Sequence, residues 1–449
     1  MNAMYDVVVV GGGLAGWAAA VSAARMGSKT FLIEQFAFLG GMATAGLVNP
    51  FMSSTTSTGT KLVGGLFDEL RSRLAQLDGI TETSFDSETM KFVLQESALE
   101  AGVELRFHTY FAGASLSDDG FSVRLVSKSG EEEIKCRRLV DASGDGDAAF
   151  SLGASFQMGD AEGLPQAMTL MFDVGGVDLP TALIYVRDHP DQMRFPKLPP
   201  DADVDQLAKY VVSVAGYYDL VAEARAKGEY IAPGDLIFYI SRPRRGEVVF
   251  NTTHVGGVRG TNAEDLTRAE IEGRRQMMSI VSFLRKYVPG FENSYLLRSA
   301  AHIGVRETRR IVGDYVFSED DVEEGRKFPD CICRLAYPVD VHSGKGEGYV
   351  KSEGKTEQAA RRGAPPAGDW YEIPYRCLLP KGLENILVAG KCVSSTQAGH
   401  GAIRIMPACI AMGQAAGTAA ALSVQQGVSP RALDTNLLLD VLRSRGALV

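Results

Sequence analysis

Cysteine is sparse in this chain. Only six occur among 449 residues, Cys136, Cys331, Cys333, Cys377, Cys392 and Cys409. No pair has the C-x-x-C or C-x-x-x-x-C spacing, which excludes a disulfide scaffold and a structural zinc site and points to a reducing compartment. The six histidines, His108, His189, His254, His302, His342 and His400, show no H-x-x-x-H spacing, so no metal site is expected. A basic excess is also missing. Lys plus Arg number 46 against 55 Asp plus Glu, a net charge of −9, which disfavours nucleic-acid or anionic-membrane partners because phosphate affinity rests on basic clusters. No uninterrupted apolar run is long enough for a membrane span. The most apolar stretch, Tyr5 to Ala24, carries Asp6, lacks a basic leader and is broken by Gly11-Gly12-Gly13, so neither a span nor a signal peptide is expected, and the expected location is cytoplasmic. There is no internal repeat and no low-complexity tract. What remains, 45% hydrophobic and 22% charged residues, is an ordinary globular composition, with length for about two to four domains.

Val7 to Val10, led in by Tyr5-Asp6, form a β-branched run that reads as a buried parallel strand. Leu14 to Met26 is alanine-rich, free of proline and stopped by Gly27, which predicts a helix. Thr30 to Ile33 then gives a second strand ending in Glu34. Within this strand-helix-strand unit, Gly11, Gly13 and Gly16 match G-x-G-x-x-G. Gly11 permits the turn, Gly13 lets a pyrophosphate approach the backbone, Gly16 lets helix and strand pack, and Glu34 can accept hydrogen bonds from ribose hydroxyls. A simple NAD domain would proceed to another crossover here. Instead Gly40-Gly41-Met42-Ala43-Thr44-Ala45-Gly46 supplies a second glycine-rich turn whose amides could reach the far side of a pyrophosphate, which favours FAD.

The run from Glu34 through G-G-M-A-T-A-G resembles that of bacterial FAD-dependent oxidoreductases, in the flavoprotein superfamily of glutathione reductase and fumarate reductase. Phe85 to Val103, Arg137 to Asp147, Gly304 to Arg310, Tyr337 to His342 and Asn385 to Cys392 are similar to further signatures of that group. The resemblance implies FAD contacts at Gly11, Gly13, Leu14, Ala15, Gly16, Glu34, Gln35, Gly40, Gly41, Met42, Ala43 and Thr44. It implies more at Phe111, Ser143, Gly144, Gly390, Lys391 and Met406, with Tyr110 near the adenine. The superfamily often places an acid after the last of these glycines, where Lys391 and Cys392 stand. The expected fold is α/β: a Rossmann-like FAD-binding domain with a parallel sheet and a crossover hairpin, plus an inserted α+β substrate domain. The FAD domain is read as discontinuous, residues 1–155 and 375–449, around an insertion at 156–374.

The crossover hairpin is read at Phe121 to Ser127 and Glu131 to Leu139. Within the insertion, strands are expected at Ala167 to Val174, Leu236 to Ile240 and Glu247 to Thr252. A long helix is expected from Ala263 to Tyr287, with Leu266, Ile271, Met278, Val281 and Leu284 on its apolar face and Met277-Met278 in the core. Lys345 to Gly368 is the best candidate for a mobile loop. Pro407 suits a first helical turn, and Ala411, Gly413, Ala415, Ala416 and Gly417 give a small-residue face for close approach to the first helix or the flavin.

Four residues are candidates for catalysis. His400-Gly401-Ala402-Ile403-Arg404 is similar to the H-G-x-x-R segment of the fumarate reductase branch, whose Arg binds a substrate carboxylate; alternatively Arg404 binds the flavin or a carboxylate within the fold. His342 follows Asp340 by two residues on an expected strand end, so Asp340 could fix the tautomer of a general-base His342, or His342 is a packed side chain. Arg306 could stabilise an enolate or carboxylate, or Arg306, Arg309, Arg310 and Glu307 form an internal ion-pair network. Cys331 and Cys333 share a strand face and are read as buried thiols. The expected activity is hydride transfer between a small organic substrate and flavin N5. The alternatives are a flavin monooxygenase and a flavin-binding protein without turnover. Val255 to Gly260 lacks the spacing of a second nucleotide fingerprint, so the electron partner is the substrate, a quinone, another protein or oxygen. A homodimer would be unsurprising.

Overall fold

The computed structural model describes residues 4–348 and 363–449. The expected mobile loop therefore falls largely, over 349–362, outside the described residues. The first strand, Met4–Val10, lies between parallel strands Thr30–Ile33 and Gly130–Asp141, and Glu104–Arg106 continues the sheet beyond Thr30–Ile33. Val7 to Val10 are buried on both faces, as an interior parallel strand requires.

The long strand Gly130–Asp141 serves two neighbours along its other edge. Its first half pairs antiparallel with Gly120–Ser127, and its last residues, Leu139 to Asp141, pair parallel with Ile386–Val388. Thr109–Ser117 completes the crossover as a third antiparallel strand, where the sequence pattern showed only a hairpin. The last strand thus delivers the C-terminal part of the chain beside the first glycine turn.

The helix Leu14–Arg25 is buried almost all round because the helix Met406–Gln426 lies along it. Small residues make this possible. A Cβ added at Gly413 would stand 2.1 Å from the Ala15 carbonyl oxygen, and one at Gly417 2.0 Å from that of Ala19. The helix Met406–Gln426 is long and apolar enough to cross a membrane, but 83% of its most apolar window is buried inside the protein.

The insertion carries an antiparallel sheet of six strands, in the order Met193–Phe195, Ser213–Gly216, Ile237–Ser241, Val248–Phe250, Phe172–Gly175, Tyr295–Ser299. The helix Ala263–Tyr287 spans the expected residues and buries Ala269, Gly273, Gln276, Met277, Ile280, Val281, Phe283 and Leu284. Ile271 and Met278 are exposed instead, because the inward face turns about one residue away from the expected stripe, and only Met277 of the Met pair is core. The change of core also differs from the expected boundary near 374. The second core runs to Val305, whereas Ile311, Phe317, Ile332, Cys333, Leu335, Tyr371 and Ile373 pack into the first. Buried Arg242 joins the two units by donating to the Phe85 carbonyl at 3.0 Å and to Asp173.

Replacing Gly by Ala inside a helix favours the helix by about 1 kcal/mol. At Gly413 the added methyl would meet a backbone oxygen that has no alternative rotamer, so overpacking dominates. Gly413→Ala is expected to destabilise the protein by about 1–3 kcal/mol, read as a lower urea midpoint with an unchanged slope.

Candidate functional site

Three turns at the C-terminal ends of parallel strands surround a cavity of about 450 Å³. At the first, Gly11 has φ +94°, and a Cβ there would meet the Ala142 carbonyl oxygen at 2.6 Å. A Cβ at Gly13 would have only Gly41 Cα nearby, at 4.0 Å. Gly13 is the N-cap of the first helix, offers no capping side chain, and no acid lies in the first turn. The leading amides of that helix therefore remain available to an anion such as a pyrophosphate. The second glycine turn comes up against the first: the Gly40 amide donates to the Gly12 carbonyl at 2.8 Å.

Glu34 is buried at the end of its strand, accepting from the amides of Gly12 at 2.7 Å and Phe36 at 2.8 Å. Burial raises its pKa even though these amides favour the charge. Asp141 shapes the third turn. It is fully buried and accepts from Ser143 Oγ at 2.7 Å and the Ala149 amide at 2.9 Å, presenting Ser143 and Gly144 to the cavity.

Of the expected cofactor residues, Gly11, Gly13, Leu14, Ala15, Glu34, Gln35, Gly40, Gly41, Met42 and Ala43 line this cavity. So do Phe111, Ser143, Gly144, Gly390, Lys391 and Met406, together with Tyr110. Gly16 and Thr44 do not. A Cβ at Gly16 would lie 1.8 Å from the Gly11 carbonyl oxygen, so it serves packing, and Thr44 Oγ1 is spent on the Leu39 carbonyl at 2.7 Å. Instead of an acid after Gly390, Asp145 lines the cavity from the neighbouring turn, held by Lys391 Nζ at 2.7 Å and Thr308 Oγ1 at 2.8 Å. Sequence reasoning missed Phe36 and His302, whose rings meet edge to face at 5.6 Å in this wall. No local motif marks either residue. The helix Met406–Gln426 also begins here, with N-cap Ile405 and no acid in its first turn. Two helix N-termini, a buried carboxylate and an open glycine cradle suit a dinucleotide bearing a pyrophosphate.

A second cavity, of about 400 Å³, adjoins the first. Met42, Val305, Lys391, Arg404 and Met406 belong to both walls. Arg306, His342 and Arg404 meet in the second cavity, with Asp340, Tyr337 and Asn251. His400 lines neither. It is fully buried, with Nε2 2.9 Å from the Lys391 carbonyl, and burial followed by the charges of Arg404, Arg310 and Lys391 drives its pKa far down. It props the turn that carries Lys391.

Arg404 Nη2 donates to the Asp340 carbonyl at 3.0 Å and its carboxylate at 3.2 Å, so it binds a carboxylate within the fold. The strand expected to carry Asp340 and His342 ends at Leu335, yet an irregular segment still brings His342 Nε2 to 3.4 Å from Asp340 Oδ1. Burial pushes Asp340 up, but His342, Arg404 and Arg306 together outweigh it and hold the carboxylate below its usual range. Its side chain keeps 40% of its surface open because it borders the cavity. Burial, then the charge of Arg306, lowers His342 to about 4.

The arginine cluster divides three ways. Arg306 donates to the Ala167 carbonyl and Asn251 Oδ1 in the second cavity. Arg309 pairs with Asp147 at 2.8 Å beside the first, and Arg310 is buried against Glu307. Cys331 and Cys333 are buried free thiols, and burial raises both. Among the described residues no group of three His, Cys, Asp or Glu side chains could hold a metal.

Two predictions follow from this geometry. Glu34→Ala strands the buried amides of Gly12 and Phe36 and is expected to destabilise the protein by about 1–3 kcal/mol, read as a lower urea midpoint. The second concerns His254, which is buried 5.8 Å from the His342 ring and lowered to about 3 by burial first and Arg306 second. A histidine whose folded pKa is depressed costs stability once the unfolded chain can take a proton that the folded chain refuses. The stability margin of the wild type over His254→Asn is therefore expected to shrink as pH falls from about 6.5 to about 4, measured by urea unfolding at each pH.

The pattern that defines FAD dependent oxidoreductases matches residues 6–443. Over 172 residues, 31% of the chain, the sequence is 28% identical to aklavinone 12-hydroxylase DnrF of Streptomyces peucetius subsp. caesius, and that match spans 35% of the hydroxylase. Among solved structures, a geranylgeranyl bacteriochlorophyll reductase-like protein of Thermoplasma acidophilum superposes with a TM-score of 0.45 at 12% identity, over 98% of this chain and 84% of that one. The p-nitrophenol 4-monooxygenase PnpA of Pseudomonas putida DLL-E4 superposes with 0.44 at 12% identity, over 96% and 83%. With its family pattern matched from Asp6 to Arg443 and a cavity suited to the dinucleotide, the chain belongs to the FAD-dependent oxidoreductases.

Proposed function

We propose that this oxidoreductase acts on a small organic molecule held in the second cavity, which gives up a hydride. The observation that carries the reading is the shared wall: Met42, Lys391, Arg404 and Met406 border both cavities, so a molecule in one lies next to a dinucleotide in the other. When bound, FAD supplies a two-electron acceptor at flavin N5. For a substrate bearing H–C–O–H, the C–H bond breaks with both electrons leaving as hydride, and the hydroxyl proton needs a base.

His342 is the base this reading selects. Its field keeps it neutral at pH 7. Asp340 beside Nε2 favours the tautomer with its proton there, leaving Nδ1 as the proton acceptor. Arg404 holds Asp340 in place, and Arg306 orients the substrate oxygen. Electrons leave afterwards to oxygen, a quinone or another protein.

The test is an anaerobic titration of the FAD-loaded protein with carboxylic acids, hydroxy acids, sugars and amines. At least one is expected to bleach the yellow flavin band. His342→Asn should slow that bleaching by about 10²–10⁴-fold with FAD content unchanged, and the rate should fall as pH drops through about 4, where His342 gains a proton. The partial match to aklavinone 12-hydroxylase favours a second reading, a monooxygenase. That reading requires no anaerobic bleaching by substrate, but oxygen consumption and a hydroxylated product once a separate reductant is supplied.

A further inference from the structure

The lining of the second cavity divides by chemistry. One side is a face of the six-stranded sheet. Phe238 and Ile240 alternate along Ile237–Ser241, so both project to the same side. Ala215 is the cross-strand partner of Phe238, and Phe195 meets the Phe238 ring edge to face at 5.5 Å. The charged part of the lining is mostly cationic: Arg306 donates to Asn251 Oδ1, Arg404 and Lys391 lie in the wall shared with the first cavity, Arg194 stands next to Phe195 on the sheet's edge strand, and Asp340 is the one carboxylate among the described lining residues.

Such a cavity matches neither a sugar, whose hydroxyls would lose water against Phe238 and Ile240, nor an amine, which the guanidiniums would repel. A volume of about 400 Å³ lies toward the small end of ligand cavities, roughly 300–1,000 Å³, which excludes a long polymer. A planar guanidinium fork matches a carboxylate in shape as well as charge. Burial lowers His342 most, and the charges of Arg306 and, more weakly, Arg404 act on it in the same direction.

Resting on the reading of this cavity as the substrate site, we infer that it takes an arenecarboxylate whose ring also bears the oxidisable H–C–O–H group, with the ring on the Phe238–Ile240 face and the carboxylate toward Arg306. The cationic end selects the anion and the sheet face selects the flat apolar body.

The test is calorimetric titration of the FAD-loaded protein with benzoate, 2-naphthoate, benzamide and phenyl phosphate. The carboxylates are expected to bind at least about tenfold tighter than benzamide, a difference of about 1.4 kcal/mol. Arg306→Gln should remove that preference, Arg306→Lys should keep part of it, and Phe238→Ala should weaken 2-naphthoate more than benzoate. Benzamide binding as tightly as benzoate, phenyl phosphate binding more tightly, or no carboxylate binding at all each overturns the inferred class. Those results leave the cavity standing as the substrate site. Failure of the site itself reads differently: Ala215→Trp, with FAD content unchanged, would then leave flavin bleaching by any active donor unaffected.

Discussion

The close contact between the first helix and the helix Met406–Gln426 is the constraint from which the site follows. Gly413 and Gly417 let the backbone of Met406–Gln426 lie where a single methyl would strike the carbonyls of Ala15 and Ala19. That contact fixes this second helix beside the first glycine turn and sets the N-termini of both helices at one cavity. A residue near position 12 and one near 406 can share a cofactor only because these four small positions carry no bulk.

Electrostatics then divides the neighbouring cavity into fixed and responsive groups. Asp340 stands between Arg404 and His342, and its charge is favoured by both. His342 feels burial and Arg306 pulling toward the neutral ring, with Asp340 opposing them more weakly. Behind them, His400 is fully buried with one nitrogen at the Lys391 carbonyl, so its effect on the cavity passes through the backbone it supports. The insertion contributes the apolar sheet face, and its position against the first unit is secured in part by buried Arg242, which reaches both Asp173 and the Phe85 carbonyl.

Much of the cofactor site was legible because its signals are local. The strand Val7 to Val10, the glycines after it, the helix that follows and Glu34 lie within one short stretch, and each has a separate steric or electrostatic reason to be where it is. The helix Ala263–Tyr287 was legible in extent because helical spacing of apolar residues is a local signal as well. Its inward face was not, because Ile271 and Met278 could be judged only against the sheet that the helix covers. Phe36 and His302 were invisible for the same reason: they meet in the cavity wall from distant positions along the chain.

The sequence by itself determined the Rossmann-like unit, its preference for FAD, the close-packing face of the helix Met406–Gln426 and, within the insertion, the long helix and parts of three of the six strands, since periodicity, turn chemistry and glycine spacing act over a few residues. Tertiary structure alone decided that His400 is a buried support, that Arg306, Arg309 and Arg310 go to three different places, that Asp145 stands in the cavity wall where Lys391 follows Gly390, and that the core changes near Val305. Each depends on which distant side chain or backbone atom lies within a few ångströms, and burial and charge pairing are set by those neighbours, not by order along the chain.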